Sequence, residues 1–167
     1  MNARETILSA IRAAAVPPAP PAAPVVREPP AAPRHEAFLE VLRAVGGNGL
    51  VRGADRSMDD AMHELFGDTT DDVTVLRGRF AVAENAAVYV DDADIARRDA
   101  VVRGERIALI VPFAALVPTM HEAVRRMPVG SACGWFLSGP SKTADIEQSL
   151  VIGAQGARSL AVIFDAG

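Results

Sequence analysis

One cysteine, Cys133, is all the chain contains. That excludes an internal disulfide framework and any metal site built from several thiolates within the chain. Cys133 adjoins an apolar strand pattern and reads as a small buried hydrophobe. Histidine is as scarce: His35, His63 and His121 stand at no metal-ligand spacing from one another, so no metal site is expected. There is no basic excess either. Lys and Arg number 17 against 21 Asp and Glu, giving a net charge of −4, which argues against a nucleic-acid binder. Long hydrophobic runs are missing. The longest apolar stretch, Ile107 to Pro118, contains Pro112 and is too short to span a bilayer. Arg4 and Glu5 come early and no apolar run follows them, so no secretory signal is expected and a soluble cytoplasmic protein is the default.

What is present is enough apolar material, half of all residues, for a sizeable core within one domain and an appendage. Residues 1–15 carry Ile7, Leu8 and Ile11 at helical spacing and read as a short amphipathic helix. Residues 16–33, rich in Pro and Ala, read as an extended linker or arm. Residues 34–167 form the domain. Within it, Phe38, Leu39, Leu42 and Val45 mark a helix closed by Gly46-Gly47, and Leu50-Val51 a short strand. Ser57 is an N-cap, and Gly67 follows the end of the helix it opens. Val73 to Leu76 and Arg106 to Val111 are strands, the second buried on both faces. Phe80 to Val90 reads as a hairpin or sharply bent strand, turning at Glu84 to Ala87, with Asn85 suited to positive φ. Asp91 to Arg103 reads as a solvated loop or frayed helix, and Ala114 to Met127 as a helix. The alternation of apolar runs and helices implies an α/β fold with a mostly parallel sheet covered on both faces.

The most informative stretch is Ser138-Gly139-Pro140-Ser141-Lys142-Thr143-Ala144-Asp145-Ile146-Glu147. Before it runs Gly134 to Leu137, after it a helical pattern from Ala144 to Ile152, and then Leu160 to Phe164. This predicts a compact parallel strand–loop–helix–strand unit. Free amides at a helix start can hold an anion, with Ser141, Lys142 and Thr143 adding donors. Asp145 and Glu147 suit the first helical turn but repel an anion, so a well-capped ordinary turn is the competing reading. Neither the Walker spacing nor the dinucleotide G-x-G-x-x-G is present.

Ser138 to Gly153, followed by Gly156-Ala-Arg-Ser-Leu160, resembles the C-terminal signature of the lactate utilization protein C family, the LUD-domain proteins. Phe80 to Val88 resembles the same family's central motif and Ala3 to Arg12 its N-terminal helix. The resemblance implies a three-layer α/β/α fold similar to the sugar-phosphate isomerase and CoA-transferase superfamily. It also implies a cytoplasmic system oxidising L-lactate to pyruvate, with iron–sulfur clusters on partner proteins and no cofactor in this chain. Glu84-Asn85-Ala86 is similar to the Glu-Asn-Gly motif of CoA transferases, where the Glu attacks the acyl group. Ala86 replaces the Gly and would impede positive φ or close ligand approach. The candidate site is thus Glu84 as catalytic carboxylate, with Asn85, Ser138, Gly139, Ser141, Lys142, Thr143, Asp145 and Glu147 binding a small anion. Two roles follow: a non-cluster subunit of a lactate-oxidation complex, or a stand-alone CoA-transferase- or isomerase-like enzyme or anion-binding protein. A fold kept without activity is a third.

Overall fold

The computed structural model describes residues 2–14, 34–68, 70–95, 98–128, 130, 133–145 and 148–167. The Pro-rich segment 16–33 lies outside these residues, as does Glu147. In chain order the elements are helices α1 (Ala3–Ala13) and α2 (Arg34–Ala44), strand β1 (Asn48–Arg52), helix α3 (Met58–Phe66), and strands β2 (Val73–Arg77), β3 (Phe80–Val82) and β4 (Ala87–Asp91). There follow the one-turn helix α4 (Ala100–Arg103), strands β5 (Arg106–Pro112) and β6 (Leu116–Val117), helix α5 (Met120–Arg126), and strands β7 (Gly134–Leu137), β8 (Lys142–Thr143), β9 (Val151–Ile152) and β10 (Ser159–Asp165).

The helix ends follow local chemistry. Ser57 Oγ accepts from Asp60 N at 3.0 Å and starts α3. In α1, Asn2 and Glu5 exchange bonds of 2.9 and 3.1 Å in a capping box. None of the α1 side chains is buried, and Ile7 and Ile11 stand exposed.

The chain is an α/β protein with a mostly parallel central sheet. That sheet has the order β1-β10-β5-β2, every pair parallel. The hairpin β3–β4 grows into a second, mixed sheet of order β6-β3-β4-β7. Strand alternation explains the layering. Leu109, Val111, Val162 and Phe164 point inward from the first sheet; Ala81, Val88, Val90 and Leu137 meet them from the second, and Phe38 and Leu42 of α2 close the same core. Ala108 and Ile163 face outward and are covered by Ala61 and Met62 of α3. On the outer face of the second sheet, Phe80, Val82, Tyr89 and Phe136 pack with Ala123 of α5. The β layer between the helices is therefore two sheets thick.

Four local expectations change. β7 pairs antiparallel with β4 in the second sheet and makes no parallel unit with β10. Among the described residues of Ala144 to Ile152 there is no helix. Instead β8 and β9 form an antiparallel ribbon. Leu150 and Ile152 are exposed there, so a helix would lack a docked face, and one so short does not hold by itself. The helix expected from Ala114 begins only at Met120, because Leu116 and Val117 extend to pair with Ala81 and Val82. Thr119 Oγ1 then caps the helix start. Asp91 to Arg103 holds a 3-10 turn at Asp92–Asp94 and the short α4. Cys133 is half-buried rather than buried.

The chain crosses from the first sheet to the second at Gly78, whose N–H donates to Ile110 O at 2.9 Å, while Arg79 N already donates to Tyr89 O at 2.9 Å. A Cβ at Gly78 would lie 2.8 Å from Val111 Cγ2 and closer still to Val88 Cγ1. Gly78→Ala is therefore expected to lower unfolding stability by about 1–3 kcal/mol through overpacking, measured by urea denaturation. An unchanged midpoint would show that the sheets are not in close contact there.

Candidate functional site

The turn between β3 and β4 and the segment after β7 come together. Ser138 Oγ donates to Asn85 O at 2.7 Å. Asn85 Oδ1 accepts from Ala87 N at 3.2 Å, a side-chain-closed turn. The positive φ of this turn falls on Ala86, at 52°, and not on Asn85. Ala86 is fully buried in the inter-sheet core, so its methyl group is held by packing in a backbone region that costs an L-residue roughly 1–2 kcal/mol. The position that is Gly in the CoA-transferase motif thus does require positive φ here, and Ala adopts it.

Glu84 is half-buried, and its Oε2 accepts from Met120 N at 3.0 Å. Its carboxylate therefore sits at the start of α5, where a negative charge is favourable. Its own N–H donates to Pro118 O at 3.1 Å.

The loop after Ser138 is tied down in the same way. Gly139 has φ of 71°, and a Cβ there would lie 2.9 Å from both Val45 Cγ2 and Val45 O. Ser141 N donates to Ala157 O at 2.8 Å, and Ser141 O accepts from Gly153 N at 2.9 Å. Lys142 Nζ donates to Val45 O at 2.6 Å, placing a cation at the carbonyl end of α2. Thr143 Oγ1 accepts from Asp145 N at 3.3 Å, and Asp145 is exposed. The expected free amides of a helix start are absent because that helix is absent. The Ser138 hydroxyl, Ser141 amide, Lys142 ammonium and Asp145 amide all already donate to the protein. The loop also lies beside Val45 and Ala157, which lead into β1 and β10, at the amino ends of the parallel strands.

The opposite end of that sheet looks different. Arg52, Arg77, Pro112 and Asp165 are the last residues of β1, β2, β5 and β10. Beside them opens a cavity of about 460 Å³ lined by Arg77, Arg79, Asp94, Ile110, Pro112 and Asp165, among others. Arg52 pairs with Asp165 and donates to Arg56 O at 2.8 Å. Arg79 pairs with Asp94 and lies 3.9 Å from Asp91, a fully buried carboxylate that accepts from Tyr89 Oη at 3.1 Å. The hydrogen bond to Asp94 raises the Arg79 pKa above its ordinary value, helped by the charges of Asp94 and Asp91 and opposed by desolvation. In sequence, Asp165 directly follows the apolar run Leu160 to Phe164. The signal for the rest was an arginine directly after an apolar run, as in Val51-Arg52 and Leu76-Arg77.

His35 stacks on Phe113 with centroids 3.9 Å apart, and its Nε2 lies 2.9 Å from Phe113 O, a packing role. Among the described residues no group of three or more His, Cys, Asp or Glu is placed to hold a metal ion. No helix among them is long and apolar enough to cross a membrane.

A mostly parallel sheet backed by a mixed one, with helices on the outer faces, defines an α/β domain. The family model of the LUD domain matches residues 43–164, and the chain belongs to that family. Lactate utilization protein C from Shouchella clausii is 32% identical over 114 residues, covering 63% of this chain and 45% of that protein. Lactate utilization protein C 1 from Bacillus mycoides is 31% identical over 111 residues, covering 54% and 45%. The protein of the same name from Halalkalibacterium halodurans is 29% identical over 92 residues, covering 51% and 40%. The chain thus spans less than half the length of these curated relatives. The crystal structure of a DUF162 family protein from Deinococcus radiodurans shares the fold, with a TM-score of 0.50 at 14% identity, covering 80% of this chain and 96% of that one.

Because Glu84 holds the start of α5, Glu84→Ala is expected to cost about 0.5–2 kcal/mol of stability, the range of a lost helix cap. Glu84→Gln should lose less, since its side-chain oxygen can still accept from Met120 N. Thermal or urea unfolding of the two variants checks this. A carboxylate with no structural role would leave both midpoints unchanged.

Proposed function

We propose that this protein is a non-cluster subunit of a cytoplasmic lactate-utilization system that oxidises L-lactate to pyruvate beside partners carrying iron–sulfur clusters. The observation that carries this reading is the LUD-domain match across residues 43–164, in a family whose curated relatives are named for lactate utilization. Oxidising lactate to pyruvate removes two electrons, which an electron carrier must accept. A single cysteine falls short of the four thiolates that an iron–sulfur cluster ordinarily takes, which supports assigning the clusters to partner chains. Surface apolar side chains supply places for such partners to dock: Ile7 and Ile11 on α1, and Leu150 and Ile152 on the β8–β9 ribbon, are all exposed.

An anion crevice at Ser138 to Glu147 is a finer part of this reading. It would have to use donor capacity left over on Ser141, Lys142 and Thr143, since each of the bonds above is already made within the protein. Nucleophilic use of Glu84, as in a CoA transferase, would compete with its bond to Met120 N.

Deleting the gene in a host that grows on L-lactate is expected to slow that growth while leaving growth on glucose unchanged. The tagged protein, expressed in the same host at its native level, is expected to co-purify with iron-containing proteins. Unaffected growth on lactate, together with no iron-containing partner, would overturn the reading.

A further inference from the structure

The carboxyl ends of parallel strands are where open α/β sheets bind ligands, and here that edge carries a cavity large enough for an organic ligand. Its charged lining is unequally occupied. Arg79 and Asp94 are paired with each other, and Asp165 is paired with Arg52, which stands outside the lining. Arg77, the last residue of β2, has neither an ion pair nor a side-chain hydrogen bond among the described residues, and it is exposed on the cavity wall. Its guanidinium presents a planar fork of donors that matches a carboxylate bidentately.

We propose that this cavity binds an organic acid with a single negative charge, its carboxylate on Arg77 and its uncharged remainder against Ile110 and Pro112. One uncommitted guanidinium suits one negative charge. The carboxylates of Asp94 and Asp165 line the same space and disfavour a second charge on the ligand, as like charges at close range do. The same two carboxylates can accept a hydrogen bond from a hydroxyl on the ligand. Ile110 and Pro112 give the remainder an apolar surface. The cavity is at the opposite end of the parallel sheet from the Ser138 loop, so the site is independent of any role for that loop. It is also independent of the lactate role proposed above, because other monocarboxylates meet the same description.

The test is calorimetric titration of the full chain with L-lactate, with butyrate and with inorganic phosphate, in the wild type and in Arg77→Ala, Arg77→Lys and Arg125→Ala. Arg77 and Arg125 are both exposed, so each substitution is expected to leave the unfolding midpoint without ligand nearly unchanged. The expected result is saturable binding of at least one of the two carboxylates. Arg77→Ala should weaken it about tenfold or more, Arg77→Lys should keep part of it, and Arg125→Ala should bind as the wild type does. Binding of neither carboxylate, equal binding in Arg77→Ala, or Arg77-dependent binding of phosphate alone would each overturn the proposal. Growth on lactate and co-purification test the other role, so either can fail while the other stands.

Discussion

The chain passes twice from the parallel sheet to the mixed one, and the strands flanking both passages share one apolar layer. The first is at Gly78, between β2 and β3. The second runs from Pro112 through the 3-10 turn at Phe113–Ala115 into β6. Between the sheets, Val88 meets Val111 across Gly78, a gap too narrow for even a methyl group. Burial of this shared layer is the main stabilising term available, since apolar burial is worth roughly 25 cal/mol per Å² and α1 contributes no buried side chain. Everything at the strand ends inherits its position from that contact.

The two ends of the parallel sheet are put to different uses. At the amino ends, the loop after Ser138 is stitched to Asn85, Val45 and Ala157, and Glu84 is stitched to α5. These bonds satisfy polar groups that would otherwise be left unpaired at a crowded junction, where an orphaned donor or acceptor is expensive. At the carboxyl ends the strands stop in charged residues, and the cavity beside them keeps one arginine uncommitted. Polar groups at the first end serve the fold; at the second, Arg77 has no ion-pair or side-chain hydrogen-bond partner among the described residues that would give it such a duty.

Much of the fold was legible because period and punctuation agreed. Ser57 and Gly67 bracket α3, the continuous run from Arg106 marks β5, and the interruption at Glu84-Asn85 marks the hairpin. The family resemblance was legible too: Phe80 to Val88 and Ser138 to Leu160 lie within the LUD-domain match, and Ala3 to Arg12 lies outside it. What sequence could not show was partnership. Gly134 to Leu137 reads as a buried strand in either sheet, and only its pairing with β4 decides which. Ala144 to Ile152 has helical spacing, but Leu150 and Ile152 stand exposed, so local propensity had little tertiary support. Ala86 shows the converse: packing in the core holds a residue in a conformation that its own preference disfavours. The cavity at the carboxyl ends was invisible because its wall joins three separate stretches, Arg77 to Asp94, Ile110 to Pro112 and Asp165 to Gly167. Topology alone brings them together.

If one core serves both sheets, they should unfold as one unit. Native-state hydrogen exchange of backbone amides tests this most directly, because it resolves the opening free energy of each strand. The amides of Val88 and Val90 in β4 should show the same protection as those of Leu109 in β5 and Val162 in β10, all at the global unfolding free energy. Exchange of β4 through a lower-energy opening, with β5 and β10 still protected, would contradict the account and show two separately stable layers.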